Sequence, residues 1–538
     1  MPLYAVEHFT PSEEDILRPY FTNTDRPVFA LVNLPEVVKG ALFARYSRTH
    51  MSLRRLFLKE FVGELDVAGD ESIDATIGLR RAEELYDRVF FEYGDDSVAQ
   101  LGGVHLACEQ ASNLLTKVLE RGRLMSYLEQ STRYIAYDTR LSNGRYRYHR
   151  DLAVLDSPLG ARYVGDIDRM FDVYAELLPV MNAYYTERFP KKAGDSDFAW
   201  RTSVKAKSFD ALRGLLPAAA QSNVGIYGTG QGYEMLLLRM RAHPLPEARE
   251  YAELMLHELR KVIPSFLKRV DLPDRGGAWS DYMETNRDAM AAVADELLAD
   301  EAAEERPMVT LTDFDPDGEL KMVAACLYPY SSLPEDQLVE RVRRMSVEER
   351  LRVLQTYSGE RTNRRHKPGR GFERTGYRFD VLSDYGAFRD LQRHRLLTID
   401  WQDLGPHHGY TLPTDVVDAG GEARYADAMA RSRSLYDAMA GPFAPQAPYA
   451  VALAYRIRYV MQLNAREATH MLELRTGPQG HPEYRQVCQE MHRLIAEQAG
   501  HRAVAELMRF VDHTDAGSSL ERLDAERRAD SRRTARTP

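Results

Sequence analysis

Two arginine-rich boxes in this chain lie 272 residues apart. The first is RGRLMSYLEQSTRY, Arg121 to Tyr134; the second is QRHRLLTIDWQDLG, Gln392 to Gly405, with Arg393 in register with Arg121. A helix-like apolar stretch precedes each box. Before that stand DDSVAQ (Asp95 to Gln100) in one half and GRGFER (Gly369 to Arg374) in the other. After the boxes come LLLRMRAHPLPEAREYAELM and HMLELRTGPQGHPEYRQVCQEM, each with Leu-x-Arg, a Pro-containing turn and Pro-Glu-x-Arg opening a helix. Matched segments in the same order predict a duplicated unit, because a repeat carries the same elements into the same local fold. Chance likeness of arginine-rich helices is the competing explanation, and it does not account for the preserved order.

The duplication predicts an α+β fold of two similar, helix-rich units in tandem. Residues 1–270 form the first unit, 271–306 an acidic, partly helical linker, 307–515 the second unit, and 516–538 a disordered tail with few bulky apolar residues. Apolar spacing reads as helix over Leu101–Leu119, Ala248–Leu267 and Glu483–Leu494, and as strand over Arg145–His149 and Met308–Leu311. The GTGQG run, Gly228 to Gly232, lacks the Lys-Ser/Thr of a phosphate loop and the spacing of a dinucleotide fingerprint, and reads as a flexible turn.

Composition narrows the function. A formal charge of −10 argues against a sequence-independent nucleic-acid binder, which needs a basic excess. No run of about 18 apolar residues marks a membrane span, and MPLYAVEHFTPSEED has no secretory pattern. The three cysteines, Cys108, Cys326 and Cys488, are too scattered for a disulfide framework, so a reducing cytoplasm fits. No metal is expected: Cys488 and His492 are one helical turn apart but only two ligands, and His407-His408 has no accompanying carboxylate pattern.

The arginine clusters suit a small anion. Glu129, Ser131 and Arg133 alternate, with Tyr134 next; an Arg fork and a Ser hydroxyl are donors suited to a phosphate monoester. A solvated loop with an Arg–Glu surface pair would have the same spacing. Arg393 and Arg395 flank His394, a group that exchanges protons near neutral pH, although a basic helix end capping its own carbonyls reads the same way. Asn464 and Arg466, two apart, are expected near a helix start.

Arg-His-Arg-x-x-Ser-x-x-Glu-x-Ser-x-Arg-Tyr is the signature of the flavin-dependent thymidylate synthases, and both halves resemble that family. The first copy has Arg121, Gly122, Arg123, Ser126, Glu129, Ser131, Arg133 and Tyr134, lacking only the central His. The second has Arg393, His394, Arg395 and Thr398, then Trp401, Asp403, Gly405 and Pro406 where Glu, Ser, Arg and Tyr belong. Met308–Tyr328 resembles the family's first strand and helix. The Gly-His-x-Ser-x-x-Glu-His motif is degraded in both: Gly94, Asp95, Ser97, Gln100 and Leu101 in the first, Glu373 and Arg374 in the second.

The resemblance implies FAD as cofactor, dUMP as substrate, methylenetetrahydrofolate and NADPH as cosubstrates, and one-carbon transfer without an enzyme nucleophile. It implies a homotetramer with sites shared between subunits, which two duplicated chains would rebuild by self-association. On the substrate side it implies Arg121, Arg123, Ser126, Glu129, Ser131, Arg133, Arg213 (in LRGLLP), Arg241 and Arg475. On the cofactor side it implies Arg393, His394, Arg395, Asn464 and Arg466. In the first copy Gly230 and Gly232 fall opposite Asn464 and Arg466. The first copy thus keeps the nucleotide half of the family's site and the second much of the flavin half. The competing reading is a nucleotide- or flavin-binding paralogue without turnover; a third is a purely structural one.

Overall fold

The computed structural model describes residues 7–27, 29–46, 51–60, 100–515, 520, 523, 524 and 527. Gly94, Asp95 and Ser97 of the degraded motif, and most of 516–538, lie outside them. The chain divides into two compact units: 1–109 with 124–129 and 223–301, and 110–123 with 130–222 and 302–538. This division cuts across the repeat, so a large part of the first copy packs in one unit with the second.

In chain order the main elements are α1 (Pro11–Leu17), α2 (Glu36–Tyr46), α3 (Leu53–Glu60), β1 (Gly103–Ser112), α4 (Asn113–Leu119), β2 (Ser126–Glu129), α5 (Gly160–Arg188), α6 (Asp197–Leu212), β3 (Gln221–Thr229), α7 (Gly230–Arg241), α8 (Pro246–Leu259), α9 (Ala278–Leu298), β4 (Val309–Phe314), α10 (Gly318–Leu327), β5 (Gly376–Asp384), α11 (Tyr385–Leu391), β6 (Leu397–Trp401), α12 (Glu422–Met439), β7 (Arg456–Asn464), α13 (Ala465–Arg475) and α14 (Pro482–Glu497). This is an α+β fold. The strands form two sheets, β1-β3-β2 and β4-β5-β7-β6.

The repeat is visible in the register. The offset of 272 that aligns the boxes also superposes α4 on α11. Each is capped by the side chain of the residue before it: Ser112 accepts from Leu115 N, and Asp384 accepts from Ala387 N. Strands β3 and β7 have nine residues each and the same alternation of buried and exposed positions. Ser126 pairs with Tyr227 on one sheet, and Thr398 with Gln462 on the other. Residues that align in the two boxes therefore occupy the same rung.

Inside the second unit the copies interlock. Ala454 N donates to Gly214 O, Leu453 N to Leu216 O, Ala218 N to Val451 O and Ala219 N to Tyr449 O, at 2.8–3.1 Å. Tyr385 Oη donates to Asn113 O, and Gln392 Nε2 to Lys117 O, which ties the two repeated helices together. Ser432, fully buried on α12, braces the strip by donating to Ala450 O and accepting from Ala452 N.

Four sequence expectations change. Leu101–Leu119 is strand β1 followed by helix α4, not one helix; Gln110, at φ 57°, breaks the strand's alternation near its end. Arg145–His149 is not a strand: among the described residues its one bridge is Tyr148 to Ala220. The alternation there buries Tyr146 and Tyr148 against Phe171 of α5, with ring centroids at 4.9 and 5.7 Å. GTGQG is not a flexible turn but the junction where β3 ends and α7 begins, with Thr229 accepting from Gly232 N. The helix read over Ala248–Leu267 stops at Leu259, and a 3₁₀ segment follows from Pro264, which cannot continue the helical bonding. Residues 278–298 of the expected linker are a helix with no buried residue. Among the described residues no helix is long and apolar enough to cross a membrane.

Replacing Ser432 by Ala should destabilise the protein by about 1–3 kcal/mol, because it strands a buried N–H and a buried carbonyl. Chemical unfolding measures this; a loss under about 0.5 kcal/mol, the scale of an ordinary surface change, would show that the strip does not depend on the serine.

Candidate active site

Helix α11 ends at Leu391, and the Arg-His-Arg box follows directly. One turn before Arg393, Asp390 points its carboxylate at three arginines from both copies. Arg213 Nη1 donates to Asp390 Oδ2 at 3.1 Å, Arg393 binds Oδ1, and Arg475 Nη1 stands 3.9 Å from Oδ1. Burial alone would raise the Asp390 carboxyl, but Arg393, Arg213, Arg475 and Arg133 hold it well below the usual carboxylate range. Charge-assisted bonds of this kind are about twice as strong as neutral ones.

Arg133 reaches the same place from the first box. Its Nε and Nη2 form a two-pronged contact with Asp210, both at 2.7 Å. Its Nη1 donates to Tyr484 Oη at 2.9 Å, and Nη2 also donates to Gln479 O. Burial works against the charge, yet Asp210 holds the guanidinium above its ordinary pKa. Ser131 Oγ accepts from Arg133 N. Arg213 differs from its neighbours. Its side chain is 4% exposed, and its Nε and Nη2 are buried without a hydrogen-bond partner. It lies flat on Gly386, where an added Cβ would sit 3.1 Å from those two nitrogens, so glycine is what admits the guanidinium.

His394 is part of a second, connected chain. Arg475 Nε donates to His394 Nε2, and His394 Nδ1 faces Glu467 Oε1, both at 2.9 Å. Nε2 must then hold the lone pair, so Nδ1 carries the proton and donates to Glu467. Burial, reinforced by Arg475 and Arg393, pushes the His394 pKa well below its ordinary value and keeps the ring neutral. His470 stands one turn after Glu467 on α13, and burial pulls its pKa down to about 4. Donor atoms of His394, Glu467 and His470 lie within 4.8 Å of one another. With Nδ1 protonated and a guanidinium on Nε2, this donor set suits a hydrogen-bonded chain rather than a cation.

A cavity of about 230 Å³ adjoins the arginines and shares Arg213 and Asp210 with them; Lys207, His481 and Glu483 also line it. Burial, with help from nearby Asp384, raises the Glu483 carboxyl to about 7. Burial lowers His481 to about 3. His481 caps α14, its Nδ1 accepting from Glu483 N and its Nε2–H donating to Asp210 O.

Of the residues singled out in sequence, Arg133, Arg213, Arg393, His394 and Arg475 come together, with Ser131 beside Arg133. Arg121 and Arg123 turn instead to the degraded part of the second box: Arg121 lies over Trp401 and 3.6 Å from Asp400, and Arg123 Nη2 donates to Thr398 Oγ1. Arg395 is exposed. Ser126 and Glu129 belong to strand β2 of the first unit. Arg241, in that same unit, is held by Glu253, Asp271 and the Val270 carbonyl. Asn464 caps α13 by accepting from Glu467 N, and Arg466 donates to Pro368 O and Glu373. Opposite Asn464 the cap of α7 is Thr229, not Gly230; α7 is one residue longer than α13, so counting back from Arg241 slips by one. Asp210, Asp390, Glu467, Tyr484 and His481 were not anticipated. Glu467-x-x-His470 and Asp390-x-x-Arg393, each one turn apart, were the available signals.

These features define a duplicated α+β protein with an arginine–carboxylate cluster built by both copies. The sequence matches the family described as thymidylate synthase complementing protein over residues 47–265 and 310–500, one stretch in each copy, and the chain belongs to that family. It is 39% identical to a UPF0159 protein of Chlamydia pneumoniae, over 97% of this chain and 98% of that one. It is 30% identical to a UPF0159 protein of Thermoplasma acidophilum, over 91% of this chain and 97% of that one. Among solved structures, the UMP/dUMP methylase PolB from Streptomyces cacaoi, bound with 5-Br dUMP, is 19% identical with a TM-score of 0.30, over 38% of this chain and 97% of that one. At that score the likeness carries no weight for this chain.

The buried neutral histidines set a pH dependence. His481 has a folded pKa near 3, below its unfolded value, so the unfolded chain binds the extra proton. Its contribution is complete above about pH 6.5 and is lost as pH falls toward 3, at up to about 1.4 kcal/mol per pH unit. Glu483 has the opposite sign: its raised pKa contributes stability that is lost as pH rises through about 7. His481→Asn keeps a capping oxygen and removes the titration. Unfolding measured between pH 6.5 and 4 should show a shallower slope for the variant; equal slopes would reject the assignment.

Proposed function

We propose that this chain is a flavin-dependent thymidylate synthase-like enzyme that methylates dUMP to dTMP, with methylenetetrahydrofolate as one-carbon donor and FAD, reduced by NADPH, as cofactor. The observation that carries this reading is the convergence of Arg133 and Arg213 from the first copy with Arg393 and Arg475 from the second. Ser131 and Arg133 take the nucleotide phosphate, Arg133 by exchanging its Asp210 contact for it, Arg213 supplies its two unpartnered nitrogens, Arg475 is assigned to the uracil ring and Arg393 to the flavin side. Each charge-assisted bond contributes about 1.5–3 kcal/mol. Two or three supply most of the roughly 8 kcal/mol of micromolar affinity.

The fit to a flavin is uneven. Arg466, with a side chain 32% exposed, and exposed Arg395 suit the anionic groups of FAD. His394 does not suit it, because both ring nitrogens are committed. When bound, the flavin supplies the reducing equivalents; this chain's own residues bind and orient the nucleotide. The committed His394, and Asn464 occupied as a helix cap, favour a second reading in which the protein binds ligands without turnover. Incubating the protein with dUMP, methylenetetrahydrofolate, FAD and NADPH and measuring dTMP separates the two: product formation supports the enzyme, and binding without product supports the second reading.

Calorimetric titration tests the division between copies. Arg133→Ala should weaken dUMP binding by about 1.5–3 kcal/mol and leave FAD nearly unchanged, and Arg466→Ala should do the reverse. Arg133→Lys should also weaken dUMP, since an ammonium cannot copy the planar fork that Asp210 now holds. Equal loss of both ligands in both variants, or no change in either, counts against the assignment.

Two chains are proposed to associate, giving the four units of the family's tetramer. Light scattering at micromolar concentration should give twice the chain mass of 61.4 kDa. A mass of one chain would sink this part of the reading.

A further inference from the structure

We infer that Asp390 is a resident anion that sets which anions the arginine cluster accepts, so that an incoming phosphate must compete with it for Arg213. This rests on the reading that the cluster receives a phosphate-bearing ligand. Asp390 is 8% exposed, and it lies where its two oxygens face Arg213, Arg393 and Arg475 together. Its position follows from the fold: α11 carries it one turn before Arg393, on the side where Arg213 rests on Gly386.

Two consequences follow from this placement. The carboxylate neutralises and draws together guanidinium groups that would otherwise repel one another. It also competes with any incoming anion, since a phosphate oxygen and a carboxylate oxygen seek the same N–H groups. Arg213 is the side chain the two anions would contest. Its Nη1 is held by Asp390, while Nε and Nη2 are buried without partners, so the incoming anion meets two unsatisfied donors on a side chain whose third is already spent. The cluster is therefore tuned to a ligand that offers more than charge. A free anion gains too little to displace Asp390, whereas a nucleotide brings its base and sugar contacts as well.

Asp390→Asn keeps the shape and removes the charge. Thermal melts and calorimetry with inorganic phosphate, at constant ionic strength in chloride, read the effect. The wild type should respond weakly to millimolar phosphate. The variant should melt lower in chloride, recover in phosphate, and bind phosphate about tenfold or more tightly than the wild type. Asp390→Glu, which keeps the charge, should stay as insensitive to phosphate as the wild type. The proposal is overturned if Asp390→Asn binds phosphate no better than wild type, if Asp390→Glu gains the same response, or if Asp390→Asn stays unfolded in both salts. A parallel dUMP titration keeps the two questions apart: a gained phosphate response without dUMP binding would retire the nucleotide reading and leave the role of Asp390 standing.

Discussion

The short strip of backbone hydrogen bonds between Gly214–Ala219 and Tyr449–Ala454 is the contact on which the candidate site depends. It joins equivalent segments of the two copies, each lying just before a central strand, β3 or β7. Once it forms, α4 and α11 are brought side by side, and the residues that follow them meet. Arg213 leaves the first copy at this strip, and Asp390 lies on the helix beside it. Without the strip, Arg213 of the first copy would not reach Asp390, the counter-ion it shares with Arg393 and Arg475 of the second. The desolvation cost of burying such charges singly is several kcal/mol per ion, so the cluster and the interlock stand or fall together.

The repeat was legible because it recurs at several levels. The boxes, their preceding helices and the later Leu-x-Arg segments keep one order, and the structure repeats it down to the pairing of Ser126 with Tyr227 and Thr398 with Gln462. What was not legible had a local cause. Leu101–Leu119 satisfies helical spacing and strand alternation at once: Val104 and Cys108 are buried on β1, and Ala111, Leu115 and Leu119 are buried beyond it. Arg145–His149 alternates because two tyrosines stack on Phe171, a reason for alternation that needs no sheet.

The candidate site was half legible for a related reason. The family pattern marks arginines, and arginines are donors; it says nothing of which carboxylates face them. Asp210 lies 77 residues from Arg133, and Asp390 lies 177 from Arg213. No spacing rule connects residues that far apart. Arg121 and Arg123 show the converse limit. They sit at motif positions, yet they engage Trp401, Asp400 and Thr398, of which Trp401 stands where the pattern has Glu.

The second compact unit is assembled from three separate stretches, with 110–123 and 130–222 on one side of the chain and everything from 302 onward on the other. On the ribosome, α5 and α6 emerge long before α12 and the 449–454 strip exist. At roughly 5–20 residues per second, that leaves their partnering surfaces uncovered for on the order of tens of seconds. Tyr185, almost fully buried in the finished fold, waits through that interval for Asp415, to which its hydroxyl donates. A gene that carries its repeat in tandem thus gains a ready-made partner at the cost of a wait, and a cut at the repeat boundary would part the stretches that make up the second unit while leaving the first unit's stretches together.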